Sequence, residues 1–383
     1  MKHGPEHLRI AWLADIFDEI SGVITDTIEM YSKAKSKGYT WLPITSYKEE
    51  MFPFHNFEPV VKLDAGSYYE GSNIYFPNIV RVIKYLRDHK INVIVSNTPA
   101  SVGLTAISAA KYLDIPLVDI YHTDVDFYTD ILATSILSPI LNRSMMTFVK
   151  MYQKSADMIF VRTGEYYDLM IKKGHPASKL RFYPAGINSD DFNPLKKDRN
   201  IWSTFNIPPD KKVVLYVGRI TKVKDIDFLL RAFDKNNYDN AVLVLVGTGP
   251  EFDLYQKNYG SNRKIFFLGK QMGEQLKKIY ASSDLYVLPS ASETLGKTVL
   301  EAMASSIPVI VSDKGGPKEY VTDKKSGYIF KAGDYDDFEK ILTGALENTD
   351  LLSTMGHVAR ESVAEHTDEK LFQKFTGHLS ELI

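Results

Sequence analysis

Short runs rich in Val, Ile, Leu and aromatic residues alternate along the chain with longer stretches whose apolar residues return every three or four positions. The first pattern suits a strand buried on both faces and the second a helix with one apolar side. In the first half the runs predict strands at Leu8–Ala14, Trp41–Thr45, Asn92–Ser96, Leu117–His122, Met158–Arg162 and Leu180–Tyr183. Helical spacing predicts Val23–Lys37 (closed by Gly38), Pro77–His89, Val102–Leu113, about Tyr128–Ser155 and Glu165–Lys173. The polar and aromatic stretch from about Ser46 to Gly71 follows neither period and is read as an extra loop. In the second half, strands at Lys212–Val217, Ala241–Val246, Ile265–Leu268, Leu285–Leu288, Val309–Val311 and Gly327–Phe330 alternate with helical segments. Strands alternating with helices predict an α/β fold with parallel sheets covered on both faces.

A chain of 383 residues is too long for a single core, and Pro194, Pro208 and Pro209 interrupt the pattern between Asn188 and Asp210. Two domains of similar build are expected. Lys plus Arg number 46 against 48 Asp plus Glu, for a formal charge of −2, so no strongly basic nucleic-acid surface is expected. The absence of cysteine excludes disulfides, thiolate metal sites and a cysteine nucleophile. No apolar run is long enough to span a bilayer, and Met1–His7 lacks the apolar centre of a signal peptide. A cytoplasmic protein is the expectation.

Candidate chemistry concentrates in Pro289-Ser-Ala-Ser-Glu-Thr-Leu-Gly-Lys-Thr-Val-Leu-Glu301. Here a predicted strand gives way to a helix near Gly296, whose first turn offers free N–H groups to an anion. Glu293 precedes that helix and Glu301 follows eight residues on. Carboxylates on either side of a phosphate-binding turn suit a ligand with hydroxyls on both sides of a diphosphate, as in a sugar nucleotide. In open α/β sheets such ligands bind beyond the carboxyl ends of the strands. A competing reading takes Ala291-x4-Gly296-Lys297-Thr298 as a relaxed phosphate loop, with Lys297 on the phosphates and Thr298 on Mg²⁺. Against it, Ala291 stands where that loop prefers glycine.

The string around Glu293 and Glu301 resembles the E-x7-E motif of the family-four retaining glycosyltransferases of the GT-B fold. It is especially similar to sulfolipid synthases and bacterial mannosyl- or glucosyltransferases. The resemblance implies two facing Rossmann-like domains with a cleft between them: 1–194 binding the acceptor, 195–366 binding the donor, and a helix at 367–383 crossing back to the first. It implies that Glu293 contacts the donor sugar and Glu301 the ribose, with Thr294, Leu295, Gly296 and Lys297 beside the donor. Gly218-Arg219-x4-Lys224 is similar to the family's cationic loop, which implies that Arg219 and Lys224 neutralise the departing diphosphate. Charge-assisted bonds of this kind contribute about 1.5–3 kcal/mol each. Gly247-Thr248-Gly249-Pro250 resembles the glycine loop beside the nucleotide, and Leu268-Gly269-Lys270 the segment whose backbone lies near the base. Gly315–Glu319 matches a loop of the same domain and is read as a turn. In the first half, Gly22 matches a glycine approached closely by donor phosphate, and Tyr121-His122-Thr123-Asp124 implies that His122 lines the sugar pocket. Asp124 is read as supporting it, and Asp126 is left unassigned. Asn188, Lys297 and Ser306 depart from the family pattern, Ser306 standing where glycine is usual and being expected to tighten packing.

The implied reaction moves a hexose from a UDP- or GDP-sugar to a glycolipid or glycan acceptor with anomeric configuration retained, with no obligatory cofactor or metal. A P-loop NTPase and a non-catalytic nucleotide-sugar-binding protein are the alternatives. Apolar residues crowd Ile131–Tyr152. The segment reads either as a core-facing helix or as a surface giving peripheral contact with the inner face of a membrane.

Overall fold

The computed structural model describes residues 7–15, 22–64, 73–121, 147, 149–236 and 238–383. The chain forms two compact units, one of Met1–Arg162, Tyr166–Tyr183 and Phe372–Ile383, the other of Thr163–Glu165 and Pro184–Leu371.

The first unit is built on strands β1 (Arg9–Leu13), β2 (Thr40–Thr45), β3 (His55–Asn56), β4 (Pro59–Asp64), β5 (Asn73–Pro77), β6 (Val93–Ser96), β7 (Leu117–Tyr121), β8 (Met158–Val161) and β9 (Leu180–Phe182). Between them run helices α1 (Gly22–Ser36), α2 (Ile79–Asp88) and α3 (Ser101–Leu113), and α4 (Gly164–Lys172) lies between β8 and β9. Seven strands form one parallel sheet in the order β3-β2-β1-β6-β7-β8-β9. Ile10 to Ala14 are wholly buried, as both faces of a helix-covered parallel strand must be. Gly38, at φ +77°, takes the left-handed conformation that follows the end of α1.

The stretch expected to be a loop instead holds β3 and β4, and β4 pairs with β5 in an antiparallel ribbon with Pro59 opposite Pro77. That pairing joins distant residues, so no local period announces it. Pro77 ends β5 rather than opening a helix. Asn78 starts α2, its side chain accepting from the Arg81 amide at 3.2 Å.

The second unit has β10 (Lys212–Val217), β11 (Ala241–Val246), β12 (Ile265–Gly269), β13 (Leu285–Leu288), β14 (Val309–Ser312) and β15 (Gly327–Phe330). All are parallel, in the order β12-β11-β10-β13-β14-β15. Helices α5 (Ile226–Lys235), α6 (Phe252–Tyr259), α7 (Gly273–Ser282), α8 (Lys297–Ala304), α9 (Tyr335–Glu347) and α10 (Thr349–Ser362) connect or cover these strands, and α11 (Asp368–Leu379) follows them. β10 has β11 on one side and β13 on the other, so the direction of winding reverses between β10 and β13. A crevice opens at such a switch point, beyond the carboxyl ends of the two strands. The loops that leave those ends are Gly218–Asp225 and Pro289–Gly296.

Among the described residues no helix is long and apolar enough to cross a membrane. Of Ile131–Tyr152 only residues 147 and 149–152 are described.

Candidate active site

At the end of β10 the chain turns at Gly218 and Arg219, then makes a short 3₁₀ turn over Lys222–Lys224. Arg219 is exposed at this rim, and its carbonyl accepts a hydrogen bond from the Tyr216 hydroxyl at 2.9 Å. Gly247, at φ +136°, leaves β11 so close to this turn that a Cβ on it would lie 1.9 Å from the Gly218 carbonyl oxygen. Its amide donates to the Gly269 carbonyl at 2.9 Å, tying in the end of β12, and Lys270 follows exposed to solvent.

The loop after β13 is stitched to the Lys222–Lys224 turn. The hydroxyls of Ser290 and Ser292 lie 3.0 and 3.2 Å from the Val223 carbonyl oxygen. The Ala291 amide donates to Asp225, a non-glycine residue at φ 51°. These contacts set Lys224 beside Glu293, and the two form an ion pair with only about a fifth of either side chain exposed. Burial pushes the Glu293 carboxyl up, but the Lys224 ammonium and the amides of Gly296 and Leu295 outweigh it and hold it below its ordinary value. Glu293 is therefore a carboxylate at neutral pH.

Glu293 is held from behind as well. Its carbonyl accepts from the Gly316 amide at 2.9 Å, and a Cβ on Gly315 would come within 2.4 Å of that carbonyl oxygen. Gly316–Tyr320 is a 3₁₀ turn. Gly296, at φ +67°, opens α8, where a Cβ would meet Pro317 at 2.6 Å. Lys297 is the first residue of α8, and Thr294 and Leu295 are half-buried just before it. Glu301 lies on the same helix, its charge close enough to the buried Tyr280 and Tyr286 phenols to add to the effect of burial in raising both.

The switch point thus gathers Gly218, Arg219, Lys224, Gly247, Glu293, Thr294, Leu295, Gly296, Lys297 and Glu301 on neighbouring loops and one helix. Lys270 sits beyond β12 at the outer end of the same sheet edge. Gly22 is the first residue of α1, and His122, with Asp124 and Asp126, lies outside the described residues. Chemically, the arrangement offers two cations and the positive end of α8 for phosphate, with two carboxylates for hydroxyls. The hydroxyl of Thr298 is engaged inward by Tyr286 at 2.7 Å, an arrangement ill suited to holding Mg²⁺ on a phosphate. Sequence reasoning passed over Asp225, Ser290, Ser292, Tyr216 and Tyr286. The serines stood in the motif without a role, and tyrosines inside apolar strands look like core.

Residues 198–362 match the family Glycosyl transferases group 1, and residues 44–191 match Glycosyltransferase Family 4. The chain is 29% identical over 304 residues to the sulfoquinovosyl transferase of Arabidopsis thaliana, a match spanning 78% of this chain and 58% of the plant protein. It is 27% identical to the alpha-monoglucosyldiacylglycerol synthase of Acholeplasma laidlawii, over 91% of each chain. Among solved structures, Anabaena HepE in complex with UDP superposes with a TM-score of 0.77 at 16% identity, covering 98% of this chain and all of that one. Two Rossmann-like units, the GT-B likeness and the two matched segments lead to one conclusion: the chain belongs to the glycosyltransferases, with a Family 4 segment followed by a group 1 segment.

Proposed function

We propose that the protein transfers a hexose from a nucleoside diphosphate sugar to a glycolipid or glycan acceptor, with retention at the anomeric carbon. The observation that carries this reading is the Lys224–Glu293 pair at the switch point, between the Arg219 turn and the start of α8. Arg219 and Lys224 take up the negative charge that grows on the departing diphosphate. Glu293 orients the sugar and Glu301 holds the ribose hydroxyls. Departure of the diphosphate breaks the anomeric C–O bond, and the acceptor oxygen forms the new bond on the same face, its proton passing to the leaving phosphate. The Anabaena structure with UDP supports a nucleoside diphosphate leaving group, and the Acholeplasma relative supports a lipid-linked acceptor. Backbone groups near Lys270 distinguish a UDP from a GDP donor.

The test is a panel of UDP- and GDP-hexoses offered with diacylglycerol and oligosaccharide acceptors. Products are identified by mass spectrometry and their anomeric configuration by NMR. Arg219→Ala should lower turnover by about 100-fold or more, the scale for removing a group that stabilises transition-state charge. Glu301→Ala should weaken donor binding by about 10- to 100-fold, the scale of a hydrogen bond to a charged group. Inversion at the anomeric carbon would overturn the retaining mechanism. Mg²⁺-dependent nucleotide hydrolysis abolished by Lys297→Ala, with no transfer to any acceptor, would replace the reading with an NTPase.

A further inference from the structure

Two phenols reach from inside the second sheet to the backbone on either side of Gly218. Tyr216 on β10 and Tyr286 on β13 are both wholly buried. The Tyr216 hydroxyl donates to the Arg219 carbonyl at 2.9 Å, and a Cβ on Gly218 would come within 2.8 Å of the same hydroxyl oxygen. The turn therefore folds directly over it. The Tyr286 hydroxyl lies 3.2 Å from the Val217 carbonyl oxygen and 2.7 Å from Thr298 Oγ1. Thr298 Oγ1 and the Val217 carbonyl oxygen both accept from this phenol, whose single proton the two bonds share, the shorter one running to Thr298. One buried oxygen thus joins the strand end that carries Gly218-Arg219 to the first turn of α8, between Glu293 and Glu301.

Phenylalanine would fill almost the same volume at either position without bringing a polar atom into the core. A buried hydroxyl is tolerated only where it finds partners, and here every partner lies on the end of β10, the turn after it or the helix, all of which bear on the charged residues. We infer that Tyr286, through Val217 and Thr298, and Tyr216, through Arg219, are positioning residues that hold the Arg219 turn and the start of α8 in register to receive the donor diphosphate. The inference rests on the donor site proposed above, and its test separates the two.

The full chain and its variants Tyr286→Phe, Thr298→Val, the double Tyr286→Phe/Thr298→Val, Tyr216→Phe and Arg219→Ala are compared. Two quantities are read: the melting temperature, and the affinity for UDP and for GDP by calorimetry. Tyr286→Phe and Thr298→Val singly should lower the melting temperature, because each leaves a buried polar partner behind. The double variant should recover most of the loss, since replacing both partners by apolar groups is close to neutral. Affinity for the nucleotide should not recover with it, staying about five- to tenfold weaker in Tyr286→Phe and in the double variant, the scale of one to one and a half hydrogen-bond energies. Tyr216→Phe should weaken nucleotide binding by about the same factor. A double variant that regains both melting temperature and wild-type affinity, while Arg219→Ala still binds poorly, shows that Tyr286 and Thr298 only pack, and overturns the positioning role with the donor site intact. A wild-type chain that binds neither UDP nor GDP overturns the donor site and this inference together.

Discussion

Ser306 turns the chain from α8 towards β14 with a left-handed backbone, φ 60°, and its buried hydroxyl has no hydrogen-bond partner. Its sequence context suggested tighter packing, but the structure shows strain at a position that suits glycine. Relief of the left-handed conformation is worth about 1–2 kcal/mol and removal of the orphan hydroxyl about 1 more, against about 0.5–1 for the freedom glycine gains when unfolded. Ser306→Gly should therefore stabilise the protein by about 1 kcal/mol, read as a rise in melting temperature of about 2–4 °C. Asp119 on β7 carries a pH dependence. Burial pushes its carboxyl up to about 7, only partly countered by the Tyr152 hydroxyl beside it. Below the ordinary value of 3.8 both folded and unfolded chains hold the proton. As pH rises from there to about 7, the unfolded chain ionises first, so stability falls across that window and levels off above it. Asp119→Asn has no proton to lose. It should melt above the wild type at pH 8, with the gap closing towards pH 4; an equal gap at both pH values would contradict the buried neutral carboxyl.

Among elements, α11 shows how a segment far along the chain becomes part of an early core. Phe375 is 1% exposed, with ring centroids 4.6 Å from Phe160, 4.8 Å from Tyr183 and 5.6 Å from Trp12. Phe372 packs 5.9 Å from Trp41. Truncating one ring in such a stack leaves a cavity the neighbours cannot fill, so Phe375→Ala should cost about 3–5 kcal/mol in urea unfolding followed by tryptophan fluorescence. The elements differ in how plainly they could be read. β10, β11, β13 and β15 have the limits their apolar runs predict, and in β10, β11 and β13 burial on both faces writes itself into nearly every residue. The β4–β5 ribbon was missed, because Pro59 and Pro77 argue against strands except at an edge and its pairing partners are not neighbours in sequence.

In the whole molecule, the residues of the proposed donor site come from loops widely separated in sequence, and strand order alone makes β10 and β13 neighbours. The sequence by itself determined the class of fold and the two-part build and singled out the charged groups of the proposed site, because periodic burial demands particular residue types at particular spacings, as would the binding of a diphosphate. The ion pair between Lys224 and Glu293, the serine stitches on Val223 and the phenols beneath Gly218 were decided only by tertiary structure. Each depends on which atoms meet across strands, and a side chain's partner in space leaves no period in the order of residues.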